Sequence, residues 1–379
     1  MQPLIGWLAS VGLLFHVGCS DPSPNTGDDG EPLTLREKYE SYFAIGAAVD
    51  ARSHETHADL LRAEFNSITP ENEMKLGALH PAEGTFTFET ADAIVAFAEE
   101  HGMTVRGHAL VWHRDNPGWV FRGSSGGLAS KDEVLARMEL HITSVMEHFK
   151  GRVAVWDVVN EAIMNDGSLR TGEEEELDQQ SRWHQIIGDS YIAEAFEYAH
   201  AADPDAKLFY NDYYNYLPAR RQAIYELLED LLDQGVPIHG VGLQCHLSIA
   251  PSDDPEHHSY YQTVENLEKA IELYSSLGLE VHITEMDVSL YVGGRQYEES
   301  DFYTAETFSE EVELRQAERY REFFTMFRKH RDVIGNVTFW GIADDNTWLS
   351  EFSSGRTDFP LLFDTNHQPK KAYEAVMDF

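Results

Sequence analysis

Two glutamates close apolar runs of strand character in this chain of 379 residues. Glu161 ends the run Val155-Trp156-Asp157-Val158-Val159-Asn160-Glu161, and Glu285 sits in Val281-His282-Ile283-Thr284-Glu285-Met286-Asp287-Val288. Each precedes a polar loop. A carboxyl placed there meets solvent at the carboxyl end of a strand, which is where reactive groups gather in a barrel of parallel strands. Two such carboxyls facing one cleft supply what glycosidic bond cleavage needs. One protonates the leaving oxygen, and the other attacks the sugar or activates a water.

Other strand-like runs also end in polar groups. The second ends in Thr69-Pro70-Glu71-Asn72-Glu73-Met74-Lys75, the third holds Gly107-His108-Ala109-Leu110-Val111-Trp112-His113, and the sixth holds Gly240-Val241-Gly242-Leu243-Gln244-Cys245-His246. Trp340 and Trp348 lie in and after the eighth. Amides, imidazoles and ammonium groups match sugar hydroxyls, and flat rings match the C–H faces of pyranoses. Taken singly, each residue has an ordinary structural explanation: an ion-paired strand glutamate, a core histidine, a packed tryptophan, a surface lysine. Convergence at the same end of successive strands favours a site. His108, His113 and His246 with a nearby glutamate also resemble a ligand set, but no pair has the compact His-x-x-x-His helical spacing. No catalytic metal and no other cofactor is expected.

The elements that must position these groups alternate strand and helix eight times. Strands are expected at Tyr42–Asp50, Phe65–Glu71, Thr104–His113, Val153–Glu161, Lys207–Asp212, Gly240–His246, Val281–Val288 and Val333–Ala343. Among the helices, Lys131–Lys150 puts Val134, Met138, Ile142 and Val145 on one face and opens on Ser130 and Glu133 at capping-box spacing. A later helix spans Glu318–His330, and Lys371–Asp378 closes the chain. Near-continuous apolar strands imply parallel pairing buried on both faces. The expected fold is α/β: a (β/α)8 TIM barrel, one catalytic domain over 34–379. An open doubly wound sheet is the alternative, but no Gly-rich phosphate loop follows the first strand. Loops after strands are long (114–129, 163–181, 248–262, 289–313) and return loops are short, so function belongs at the elaborated, C-terminal face.

Composition narrows the partners. Lys plus Arg number 28 against 66 Asp plus Glu, a net charge of −38. Such a field repels phosphate, which excludes nucleic acid and anionic membrane surfaces as partners and suits a neutral ligand. Residues 1–19 read as an export signal: Leu4 to Val17 is mostly apolar and too short to span a bilayer. The run ends at Gly18-Cys19, as in bacterial lipoprotein signals whose cysteine is lipidated, although His16 stands where such signals usually carry Leu. Residues 20–33 then form a flexible Pro/Gly/Asp-rich tether. The expectation is an extracytoplasmic protein attached to the cell envelope through Cys19, or otherwise secreted. The second cysteine, Cys245, is expected to be a small buried residue within a strand.

From about Leu35 to Phe379 the chain closely resembles the xylanases of glycoside hydrolase family 10, on the Asn-Glu-Ala ending the fourth strand, Thr-Glu-Met-Asp of the seventh, Gly-His-Ala-Leu-Val-Trp-His of the third and Pro-Glu-Asn-Glu-Met-Lys of the second. The resemblance implies a monomeric, cofactor-free endo-1,4-β-xylanase acting on xylan and xylo-oligosaccharides. It implies Glu161 as acid/base, Glu285 as nucleophile, and Asn160 on the 2-hydroxyl of the sugar being cleaved. His246 would hold Glu285, with Asp287 orienting the imidazole, and Gln244 and Trp112 would lie near the acid/base. Glu71, Asn72, Lys75 and His108 would bind sugars on the non-reducing side. Trp340 and Trp348 would wall the site against the hydroxymethyl group that distinguishes glucose from xylose. Retention of configuration would put the carboxyls about 5–5.5 Å apart. The rival readings are a relative preferring β-glucan or short oligosaccharides, and a sugar-binding lipoprotein on the same barrel. The latter needs neither acid nor nucleophile. Arg295 or Arg356 is the expected local counter-charge for acidic substituents on the polymer.

Overall fold

The computed structural model describes residues 32–293, 295–304, 307–352 and 356–379. Its centre is a closed ring of parallel strands: β1 Ala44–Val49, β2 Ser67–Pro70, β3 Thr104–Trp112, β4 Val155–Asn160, β5 Lys207–Asp212, β6 Gly240–Leu243, β7 His246–Ser248, β8 Glu280–Ser289 and β9 Ile334–Phe339. Neighbours pair in chain order, and β1 closes on β9 with Ala44 opposite Asn336. β6 and β7 together fill one barrel position, both pairing with β8. The strands therefore occupy eight positions, the expected (β/α)8 barrel.

An outer ring of helices follows the strands: α1 Ala58–Glu64, α2 Glu89–Glu100, α3 Lys131–His148, α4 Tyr191–Ala202, α5 Pro218–Asp233, α6 Val264–Ser275, α7 Glu310–Lys329 and α8 Lys371–Met377. The apolar stripe expected on α3 is buried, and Ser130 and Glu133 form the reciprocal cap. The inner strand faces and the inward helix faces make one continuous core.

Two expectations are corrected. The sixth strand does not run unbroken to His246. Gln244 and Cys245 interrupt it, and Cys245 takes the left-handed backbone region at φ 59. Cys245 is nonetheless buried in the core, as expected. Helix α7 begins at Glu310, not at Glu318, because its first turns lack an apolar stripe. Glu310, Glu311 and Glu313 instead place negative charge on the positive end of the helix dipole. The expected export signal, Cys19 and tether residues 20–31 lie outside the described residues, while Leu33 packs against the core.

Candidate active site

At the C-terminal ends of the strands lies a cleft of about 820 Å³, lined among others by Glu71, Asn72, Lys75, His108, Trp112 and Asn160. Glu161, Gln244, His246, Glu285, Trp340 and Trp348 complete the set of residues singled out from the sequence that reach it. Asp287, also singled out from the sequence, stays behind the wall, buried beneath His246 and Trp348. Arg295 pairs with Asp253, and Arg356 lies over the Tyr291 ring; neither lines the cleft. Among the described residues the Lys75 ammonium and the Arg114 guanidinium do.

Glu161 follows the last residue of β4 in a left-handed conformation, φ 60. An L residue adopts this region only where its surroundings fix it. Here the Glu161 N–H donates to Asn211 O at 2.9 Å, and its carbonyl accepts from Arg170 Nε at 2.9 Å. Arg170 is fully buried and also ties the Gln179 carbonyl and the Tyr213 hydroxyl, so the loop after β4 and the backbone of Glu161 are held by one guanidinium. The carboxyl turns into the cleft and meets neutral donors: Trp112 Nε1 on Oε2 at 2.9 Å, and Gln244 Nε2 and Asn160 Nδ2 on Oε1 at 3.0 and 3.2 Å. His113 Nδ1 stands 3.8 Å away. Burial, reinforced by Arg170 and Arg114, pushes that imidazole down to about 2, so it brings no positive charge to Glu161.

Glu285 sits within β8, its side chain 6% exposed against 13% for Glu161. Its setting is ionic. Oε2 faces His246 Nε2 at 3.2 Å, and His246 Nδ1 faces Asp287 Oδ2 at 2.9 Å. Burial alone would discharge the His246 imidazole, but Asp287 and then Glu285 override it and raise it to about 10. The imidazolium thus lies between two carboxyl groups, one on each ring nitrogen. Trp348 Nε1 also donates to Asp287 Oδ2 at 2.9 Å, which fixes that tryptophan at the cleft wall.

One residue that sequence reasoning missed joins the two halves. Asn211, near the end of β5, donates to Glu285 Oε1 at 2.8 Å and to Asn160 Oδ1 at 3.0 Å. Its own Oδ1 accepts from Thr284 Oγ1 at 2.7 Å, so its amide orientation is set by its partners. A β-carbon on Gly242 would lie 2.2 Å from that Oδ1; the glycine leaves room for the bridge. The signal available in the sequence was the polar pair Asn211-Asp212 at the end of an apolar strand, the pattern that marked Glu161. Tyr213, Tyr214, His258 and the acidic run Glu174–Glu176 also line the cleft and come from loops whose course the sequence did not show.

On the non-reducing side expected for Glu71, Asn72, Lys75 and His108, Lys75 Nζ donates to Asn72 Oδ1 at 2.8 Å and lies over the Trp112 ring. His108 Nδ1 is bonded to Asp157, which burial would raise but Arg106 and His108 hold low. That contact leaves the other ring nitrogen of His108 free of Asp157.

A parallel barrel with two carboxyls in one C-terminal cleft, one among neutral donors and one against a cation, defines a glycoside hydrolase. The profile of Glycosyl hydrolase family 10 matches residues 34–379, and the chain belongs to that family. An endo-1,4-beta-xylanase of Geobacillus stearothermophilus is 46% identical over 91% of this chain and 98% of its own length. A beta-1,4-xylanase of Dictyoglomus thermophilum is 43% identical over 91% of both. The solved structure of a GH10 endoxylanase retrieved from sugarcane soil metagenome superposes with a TM-score of 0.83 at 40% identity, over 91% of this chain and 98% of that one.

Proposed function

We propose that the protein is an endo-1,4-β-xylanase that hydrolyses internal β-1,4-xylosidic bonds of xylan and xylo-oligosaccharides with retention. The observation that carries this reading is the contrast between the two carboxyls. Among the described residues, the side chains that hydrogen-bond the Glu161 carboxyl are neutral donors, the setting in which a general acid/base works without a fixed cation against it. Glu285 faces the His246 imidazolium, which keeps a nucleophile charged until it bonds to carbon.

In the first step Glu285 attacks the anomeric carbon as Glu161 protonates the departing oxygen. In the second, Glu161, now ionised, takes a proton from the water that displaces Glu285. Asn160 hydrogen-bonds the 2-hydroxyl at the transition state. His246 and Asp287 position Glu285, and Gln244 and Trp112 position Glu161. Glu71, Asn72, Lys75 and His108 hold sugars on the non-reducing side. Trp340 and Trp348 wall that side against a hydroxymethyl group. The relatives reported above, an endo-1,4-beta-xylanase, a beta-1,4-xylanase and a GH10 endoxylanase, support the choice of xylan over β-glucan.

The enzyme acts outside the cytoplasm as a monomer. The apolar run ending at Gly18-Cys19 supports attachment to the envelope through a lipidated Cys19. Mass spectrometry of the protein from cell membranes tests this: an unmodified or absent Cys19 overturns it. The functional test is the product profile from soluble β-1,4-xylan and β-1,4-glucan, with Glu285→Ala in parallel. Xylobiose and xylotriose from xylan alone, lost in the variant, are expected. Glucan cleavage at a comparable rate, or no cleavage of either polymer, overturns the assignment.

A further inference from the structure

Outside the cleft, His57, Asp345 and His367 converge from the two crossovers that meet where the barrel closes. His57 precedes α1, and Asp345 and His367 lie between β9 and α8. We propose that these three side chains form a structural site for a zinc-class divalent cation, tying the first strand-to-helix crossover to the last.

The geometry has three parts. Asp345 presents Oδ1 to His57 Nε2 at 3.2 Å and Oδ2 to His367 Nε2 at 3.3 Å. With bonds of about 2.0–2.1 Å, the ligand atoms of a tetrahedral zinc stand roughly 3.3 Å apart, and one ligand atom from each of the three residues lies within 4.8 Å of the other two. The two imidazole rings lie with centroids 4.3 Å apart, side by side over one carboxylate. His57 is buried, while Asp345 and His367 are partly exposed and leave an entry path.

The tautomer of His57 supplies the third part. Thr56 Oγ1 donates to Arg52 O at 3.3 Å and meets His57 Nδ1 at 2.9 Å. Where that hydroxyl accepts from Nδ1–H, the lone pair of Nε2 is left facing the Asp345 side chain, the tautomer that a metal ligand needs. A ring whose Nδ1–H is bonded and whose Nε2 is directed at a metal is the usual setting of a histidine ligand. Two imidazoles and one carboxylate, with water as a fourth ligand, select zinc over calcium or magnesium, which prefer all-oxygen sites.

A second cluster, Glu268, Glu272 and His330, lacks this character. Glu268 Oε1 already holds Lys329 Nζ at 2.6 Å, so an ammonium fills the place of a cation.

The ligands His57 and Asp345 are 288 residues apart in sequence, and a cross-link between such distant points stabilises the folded chain against unfolding. The test uses the full chain without an affinity tag, stripped by chelator and dialysed against Zn2+. Wild type should keep about one zinc per chain through gel filtration, and its Tm should rise by roughly 2–5 °C. Bound Co2+ should show the intense visible bands of a four-coordinate site. Asp345→Asn and His367→Gln should lose all three effects, and Glu268→Gln should keep them. No stoichiometric zinc and an unchanged Tm in wild type would mean a hydrogen-bonded His–Asp–His cluster only. Retention of zinc by both Asp345→Asn and His367→Gln would likewise overturn the proposal. The cobalt spectrum of wild type decides the matter even if the variants fail to fold.

Discussion

Asn211 donates its side-chain amide to Glu285 Oε1 at 2.8 Å, joining the end of β5 to the middle of β8 inside the barrel. The same nitrogen reaches Asn160, whose Oδ1 also accepts from Gln244 Nε2 at 3.3 Å, and Gln244 in turn bonds Glu161. The two carboxyls therefore belong to one hydrogen-bonded lattice. A hydrogen bond to a charged group contributes about 1.5–3 kcal/mol. Asn211→Ala should lower kcat by roughly 10- to 150-fold with a smaller change in KM, because the bond acts on the reacting carboxyl. Gly242→Ala should act in the same direction by displacing the Asn211 side chain. Wild-type kcat in both variants would show that the bridge is structural only.

Removing either carboxyl should leave a distinct chemical trace. Glu285→Ala should lose nearly all turnover, and added azide should give an α-glycosyl azide by direct attack on the open face. Glu161→Ala should slow hydrolysis of xylan by about 10²- to 10⁴-fold, but spare substrates with good leaving groups, and azide should give the β-product. Product stereochemistry by NMR checks both. The opposite assignment of anomers would exchange the two roles.

The charge on His246 makes a pH-dependent contribution to stability. Its ordinary value is 6.5, and Asp287 and Glu285 overcome the effect of burial to raise it to about 10 in the folded chain. A raised value means that the contribution is complete below pH 6.5 and fades as pH rises toward 10. The stability gap between wild type and His246→Gln should be widest below pH 6.5 and narrow across that window. Denaturant melts at intervals from pH 6 to 10 measure it; a gap that widens with pH contradicts the assignment.

Behind the cleft, Arg220 and Asp212 form a fully buried ion pair at 2.5 Å, and Arg220 also bonds Asn165 Oδ1 at 2.8 Å. Removing one partner strands the other charge in the interior. Arg220→Met should cost about 3–5 kcal/mol in urea unfolding and loosen the loop that carries Asn165 to the cleft. A loss below 1 kcal/mol would mean that Asp212 finds its charge partner elsewhere.

Substrate choice should follow the tryptophan wall. Trp348→Ala should raise the rate on aryl cellobioside relative to aryl xylobioside by about tenfold or more, the scale on which one pocket group discriminates. An unchanged ratio would assign glucose exclusion to Trp340 or to the loop after β8.

Much of the site was legible because strand ends are local features. An apolar run that stops at a polar residue marks a strand's carboxyl end without knowledge of its neighbours, and Glu161 and Gln244 follow β4 and β6 in that way, while His108 and Glu285 stand out as polar residues inside apolar strands. Asn211 carries the same mark, beside Asp212, but lies in the fifth strand, outside the motifs that drew attention to the second, third, fourth and seventh. The break at Gln244-Cys245 was hidden because those residues continue a strand-like pattern, and the left-handed turn at Cys245 is imposed by the β8 pairing on either side. The start of α7 was hidden for the opposite reason, since its first turns show no apolar period.

The sequence by itself determined the eight-fold alternation, the barrel that follows from it, the identity of both carboxyls and the family motifs around them. These are set by composition and spacing within segments of about ten residues, where apolar period and turn chemistry act. Only the tertiary structure decided which groups meet across the barrel. That Glu285 faces an imidazolium while Glu161 faces neutral donors, that Asn211 bridges them, and that His57 lies against Asp345 and His367 all depend on side chains brought together from opposite ends of the chain. Such contacts follow from the register and closure of the sheet, which no single segment encodes.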